Sequence, residues 1–158
     1  MEVYEVRVKK DGTKLFYQNG KLHRLDGPAI EWASGDKFWY QNDVLHRLDG
    51  PAIEYANGST EWRQNHNLHR LDGPAIEYIE GIKYWYQNGE LHRLDGPAIE
   101  NANGDKSWYQ NGQPHRLDGP AFEYADGCKE YWIDGEALTE EQFLNRSKPC
   151  IGNKVIVD

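Results

Sequence analysis

The seven residues HRLDGPA stand at 23–29, 46–52, 69–75, 92–98 and 115–121, each copy 23 residues after the last. A fixed period of roughly 20–50 residues marks a repeat architecture, in which each unit covers the apolar face of the next. One unit, written from 37 to 59, reads KFWYQNDVLHRLDGPAIEYANGS. It holds two strand-like runs. The first is aromatic: Leu15-Phe16-Tyr17, Phe38-Trp39-Tyr40, Glu61-Trp62-Arg63, Tyr84-Trp85-Tyr86, Ser107-Trp108-Tyr109 and Glu130-Tyr131-Trp132. The second is AIEY-like and starts at Ala29, Ala52, Ala75, Ala98 and Ala121. Aromatic and β-branched residues favour the pleated, half-buried surface of a sheet.

Turn chemistry divides the runs. Ser34-Gly35, Asn57-Gly58, Glu80-Gly81, Asn103-Gly104 and Asp126-Gly127 follow the AIEY segments. Asn-Gly and Asp-Gly predict type I′ hairpins there, because that turn needs positive φ at both central residues. At the N-terminus Val3–Val8 alternates, Asp11-Gly12 turns and Lys14–Gln18 returns. After each aromatic run comes a longer corner, such as Asn19-Gly20 through Pro28. HRLDGPA is that corner. Gly27 is expected to supply backbone freedom and Pro28 to fix φ as the strand restarts. Asp26 is expected to hold an Asx-turn, Leu22 and Leu25 to tuck beneath the rings, and Arg24 to reach Glu31.

The expected fold is all-β: an elongated, twisted antiparallel sheet of about 12 strands, two per unit, about 55 Å long at ~4.8 Å per strand. Residues 1–135 form the repeat domain and 136–158 a C-terminal cap. Thr139-Glu140-Glu141-Gln142 is a capping box, with Leu138 and Phe143 as its hydrophobic staple, and predicts a short helix over 140–146. A final strand is expected at 154–158.

The 23-residue period, the aromatic run followed by Asn-Gly, and the Asp-Gly that reopens the next strand resemble MORN repeats. They are most similar to variant arrays of bacterial, bacteriophage and large-virus proteins. The resemblance covers about 13–135. It implies an elongated sheet used as a scaffold or binding surface, and no activity by itself. The reopening corner departs from the common unit, which is richer in glycine there. Transfer of the lipid binding attributed to some arrays is therefore not expected.

Composition narrows the function classes. Net charge is −8, which disfavours direct binding to nucleic acid or anionic membrane and suits a basic protein partner. Aromatic residues are 13% of the chain, with 6 Trp and 10 Tyr, which is not a disordered composition. MEVYEVRVKK lacks the apolar run of a secretion signal, and no stretch approaches the ~20 apolar residues of a membrane helix. A reducing cytoplasm is expected, the host's if the protein is viral. Cys128 and Cys150 are then free thiols, although a disulfide between them stays open.

The repeated histidines and aspartates could suggest chemistry. Equivalent residues lie two strands apart, roughly 9.5 Å, while ligands of one zinc sit about 3–3.5 Å from each other. No metal and no cofactor are expected. Five equal His–Asp corners also argue against an active site, which is one asymmetric constellation. No nucleophile elbow, phosphate loop or C-x-x-C is present. The expectation is therefore not an enzyme; an enzyme with an unrecognised site stays as an alternative.

If the constant block builds the scaffold, specificity belongs where units differ. Unit three has Arg63 and His66 where others have Tyr and Gly or Asp. Ile79 and Ile82 flank the turn of unit four, and Asn101 replaces a ring. With Trp62 and Trp85, these are the candidate partner-binding residues of a protein-binding module. The resemblance points to an inhibitor of a host or competing enzyme, one with a basic nucleic-acid groove among the targets. The alternative is a small, nucleotide-like ligand bound at the corners by His46, Arg47, His69, Arg70, His92 and Arg93, with rings for stacking.

Overall fold

Two strands of every unit enter one long antiparallel ladder. The computed structural model describes residues 3–146. Its main sheet is fourteen-stranded and runs from Glu5–Val8 at one edge to Glu136–Leu138 at the other. It is not closed into a barrel. The ladder strands are short. Ile30–Glu31 pairs Lys37–Phe38, which pairs Ile53–Glu54, and so on along the chain. The expected final strand at 154–158 and Cys150 lie outside the described residues.

Register sorts the two faces. On one face lies a charge row: Lys14, Glu31, Lys37, Glu54, Thr60, Glu77, Lys83, Glu100, Lys106, Glu123 and Lys129 stand opposite one another in that order. Opposite charges alternate except at Thr60, so nearly every cross-strand pair is attractive. The pleat puts the adjacent residue of each strand on the other face. That row reads Leu15, Ile30, Phe38, Ile53, Glu61, Ile76, Tyr84, Ile99, Ser107, Phe122, Glu130. It carries the small core, in which Ile53, Leu45 and Ala52 pack with Phe38, Tyr40 and Tyr55.

The aromatic run does not continue straight. It bends at Trp39, and Tyr40–Gln41 leaves the ladder to pair with Val44–Leu45. Each unit repeats this side hairpin, for example Arg63–Gln64 with Asn67–Leu68. The type I′ turns occur here, and not after the AIEY runs as expected. Asn42 and Asp43 have φ of 53° and 67°, and Asn65 and His66 have 52° and 67°. After the AIEY runs only the glycine is left-handed, as at Gly58 with φ of 94°. Gly58 N–H bonds to the Tyr55 carbonyl and Tyr55 N–H to the Ser59 carbonyl. This is a type I turn closed by a left-handed glycine, a three-residue hairpin loop.

The capping box is present as expected. Thr139 Oγ1 accepts from Gln142 N–H, and Gln142 Oε1 accepts from Thr139 N–H. The helix spans Glu140–Asn145, one residue short of the expected end. It lays Phe143 on Tyr131, with ring centroids 4.8 Å apart, over the last strands of the sheet.

Candidate functional site

The invariant corner is a machine for holding one arginine. Arg47 stacks on Trp39 at 4.1 Å. Its Nε donates to Asp49 at 3.0 Å, and its Nη1 to the Pro51 carbonyl and to Glu54, both at 3.1 Å. Arg24, Arg93 and Arg116 repeat all four contacts, Arg24 on Phe16 in place of Trp. Arg70 keeps the ring, Asp72 and the carbonyl of Pro74, while Glu77 turns to Lys83 at 3.3 Å. The expected Arg24–Glu31 pair is thus formed at 3.0 Å.

Three expectations for this corner are corrected. Gly27 is not among the left-handed glycines. It is glycine because a Cβ there would lie 2.8 Å from Arg24 Cζ, and at Gly50 2.5 Å from Arg47 Cζ. Asp26 holds the arginine Nε, not an Asx-turn. Leu25 does not tuck beneath a ring: it and Leu48, Leu71, Leu94 and Leu117 are 55–75% exposed. Below the corner, all five alanines of the motif are fully buried.

The histidines bind the neighbouring unit. Nδ1 of His23, His46, His69, His92 and His115 accepts the backbone N–H of Asn42, Asn65, Asn88, Asn111 and Asp134, at 3.1–3.2 Å. Each donor lies at the I′ turn of the next side hairpin. The side-chain oxygen of the same Asn or Asp lies 2.7–3.2 Å from Nδ1, so each imidazole meets the turn through both backbone and side chain, and the ring tautomer sets which bond Nδ1 makes. The corner also donates Arg47 N–H to the Arg63 carbonyl, and equivalents recur in every unit. The motif thus joins units as well as turning the chain.

What faces outward is leucine and aspartate. The carboxylates of Asp26, Asp49, Asp72, Asp95 and Asp118 are 71–87% exposed. The arginine hydrogen bond and charge hold Asp49, Asp72, Asp95 and Asp118 below the usual carboxylate range. Between successive corners run grooves. Three of them have volumes of about 520, 500 and 550 Å³ and floors made by Trp39, Trp85 and Trp108.

The other face departs from its pattern in unit three. Glu61 replaces a ring and is buried. It accepts from Arg63 Nε at 2.8 Å and from the Tyr55 hydroxyl at 2.8 Å. Burial, and then the bond to Glu61, push the Tyr55 hydroxyl up to about 12. Arg63 also donates to the His66 carbonyl at 2.8 Å. Glu130 repeats the scheme, accepting from Tyr124 and from Trp132 Nε1. A carboxylate in this row comes with two donors that satisfy it.

The nominated residues do not form one patch. Trp62 and Trp85 lie under Arg70 and Arg93 at 4.0 Å, so their positions belong to the corner face. Arg63 and His66 belong to the unit-three network on the other face. Ile79 projects from its turn, 64% exposed, and its backbone N–H donates to Ser59 Oγ. At Ile82 an apolar side chain replaces the acceptor that Thr13, Asp36, Ser59 and Asp105 offer to the next turn. Asn101 stands where Trp32, Tyr55, Tyr78 and Tyr124 carry rings in the other units. His46, Arg47, His69, Arg70, His92 and Arg93 are all engaged in the corner contacts above.

Cys128 is exposed, and its thiol is pushed up by the hydrogen bond to Asp126, which makes it a poor nucleophile. Among the described residues no three His, Cys, Asp or Glu side chains gather as a metal site, and no helix is long and apolar enough to cross a membrane. No protein-family model matches the chain, and no curated protein matches it significantly. The signal for the outward ladder was present in the sequence: Leu and Asp never vary between copies, and only their direction was hidden.

Proposed function

We propose that this protein is a non-enzymatic binding module that holds another protein along its repeat sheet. The observation that carries the reading is the division of labour in the corner. His, Arg, Gly, Pro and Ala of the motif serve the fold, and what they present to solvent is a row of leucines and carboxylates. In four corners one arginine faces two carboxylates, as Arg47 faces Asp49 and Glu54, so a basic partner is favoured. The resemblance to viral and bacterial arrays makes inhibition of a nucleic-acid-handling enzyme, inside a cytoplasm, the working role. Capture of the tagged chain from native lysate, followed by mass spectrometry, tests this. One stoichiometric protein is the expected result; recovery of small molecules at several per chain would replace the reading.

A small-ligand reading draws on the tryptophan-floored grooves, whose size suits a small molecule. The arginine donors that would recognise a phosphate are already bonded to carboxylates, which weakens it. Calorimetry with nucleotides, showing binding at several sites per chain, would favour it.

A further inference from the structure

The leucine side chain is the apolar part of HRLDGPA that the fold leaves exposed. Every other residue of the motif meets a partner or is buried, while Leu25, Leu48, Leu71, Leu94 and Leu117 stand at 55–75% exposure in five successive corners. Between copies, position 21 and its equivalents change freely, from Lys to Val, Asn, Glu and Gln. An exposed apolar residue held constant beside such variation is a contact residue.

We infer that the Leu–Asp ladder is a docking edge for a basic, proline-rich segment of a partner protein in the polyproline II conformation. The inference rests on the binding-module reading and names its partner class. Three features select this occupant. Charge is complementary: each leucine is followed by an exposed aspartate whose Oδ1 holds arginine while the other oxygen faces water. The floor is aromatic, as at Trp39, Trp85 and Trp108, and aromatic-lined grooves receive polyproline II segments. The period matches best. Two strands per unit give ~9.6 Å. One polyproline II turn of three residues advances ~9.3 Å. A helix repeats a face every seven residues, at ~10.5 Å, and drifts by about 4 Å over four intervals. An extended strand repeats a face at ~6.7 or ~13 Å and misses the ladder. A second copy of this chain would set aspartate against aspartate.

The test is fluorescence anisotropy with labelled synthetic peptides and the full chain. The probe is five Leu-Pro-Lys triplets. The comparisons are Leu-Pro-Glu triplets, Leu-Pro-Pro-Lys quartets and a basic helix with leucine at each seventh position. The protein variant is Leu48→Ser with Leu71→Ser and Leu94→Ser, checked by thermal melting to be folded. The triplet peptide is expected to bind more tightly than the others, and the variant to weaken it at least about tenfold. Equal binding of quartets, tighter binding of the helix, no binding of triplets, or full binding by the variant would each overturn the inference. Native capture remains the separate test of the parent reading. A partner retained by the variant sinks the ladder and leaves the module standing. Absence of any protein partner for the native chain sinks both.

Discussion

Replacing Arg63 by alanine would expose how unit three accommodates a carboxylate where its neighbours carry rings. Glu61 has a side chain only 10% exposed, and Arg63 27%. Two donors hold that carboxylate, at 2.8 Å each. Removing one partner of a largely buried pair costs about 3–5 kcal/mol, because the remaining charge stays desolvated. Arg63 keeps some contact with water, so Arg63→Ala is expected at the lower end, about 3 kcal/mol. The double change Glu61→Phe with Arg63→Tyr restores the side chains of Phe38 and Tyr40 one unit earlier. It is expected to match the native protein or exceed its stability by ~1–3 kcal/mol. Tyr55 gives an independent reading. Its raised pKa means that its neutral form favours the folded state fully below pH ~10, and that this contribution is lost as pH rises towards about 12. In the double variant the Glu61 contribution is gone, and the Tyr55 transition should move down towards the ordinary tyrosine range. Urea unfolding followed by tryptophan fluorescence, with an alkaline ultraviolet titration, measures both. A single variant within about 0.5 kcal/mol of native, or a double variant weaker than the single, would refute the ion-pair explanation.

Gly50→Ala should force Arg47 off Trp39, since the new Cβ would lie 2.5 Å from Cζ; a loss of about 1–3 kcal/mol and a shifted tryptophan emission are expected. On acidification, Asp49, Asp72, Asp95 and Asp118 should titrate below their ordinary value of 3.8. Their stabilising effect is complete above that value and is lost as pH falls through the lower folded values, which carboxyl NMR can follow. Thr139→Ala should cost the helix Glu140–Asn145 about 1 kcal/mol through loss of its cap, read as weakened packing of Phe143 on Tyr131.

Much of the fold was legible because its signals are local and repeated. Alternation, Asn-Gly and Asp-Gly turns and the capping box placed the ladder strands and the helix. The side hairpins were not legible, since pairs such as Tyr40–Gln41 with Val44–Leu45 are too short to show a period. Asn-Gly also occurs at both turns of a unit. Only the flanking pairing decides which is type I′ and which is type I with a left-handed glycine. The role of Gly27 is not legible because glycine serves two purposes, unusual φ and close approach, and the sequence does not separate them. The partnership of Glu61 with Arg63 and Tyr55 became visible once the faces were sorted by register. The outward direction of Leu25 depends on the conformation of the corner, which has no regular period.

The most direct measurement compares the unfolding free energies of Arg70→Ala and Leu71→Ser in the central unit. Arg70 donates to Asp72 and to the Pro74 carbonyl and stacks on Trp62 at 4.0 Å, so its loss is expected to cost about 2 kcal/mol. Leu71 is 75% exposed and should change stability by no more than about 0.5 kcal/mol. That outcome is predicted if the motif builds the fold through arginine and meets its partner through leucine. A destabilising Leu71→Ser beside a neutral Arg70→Ala would contradict that division.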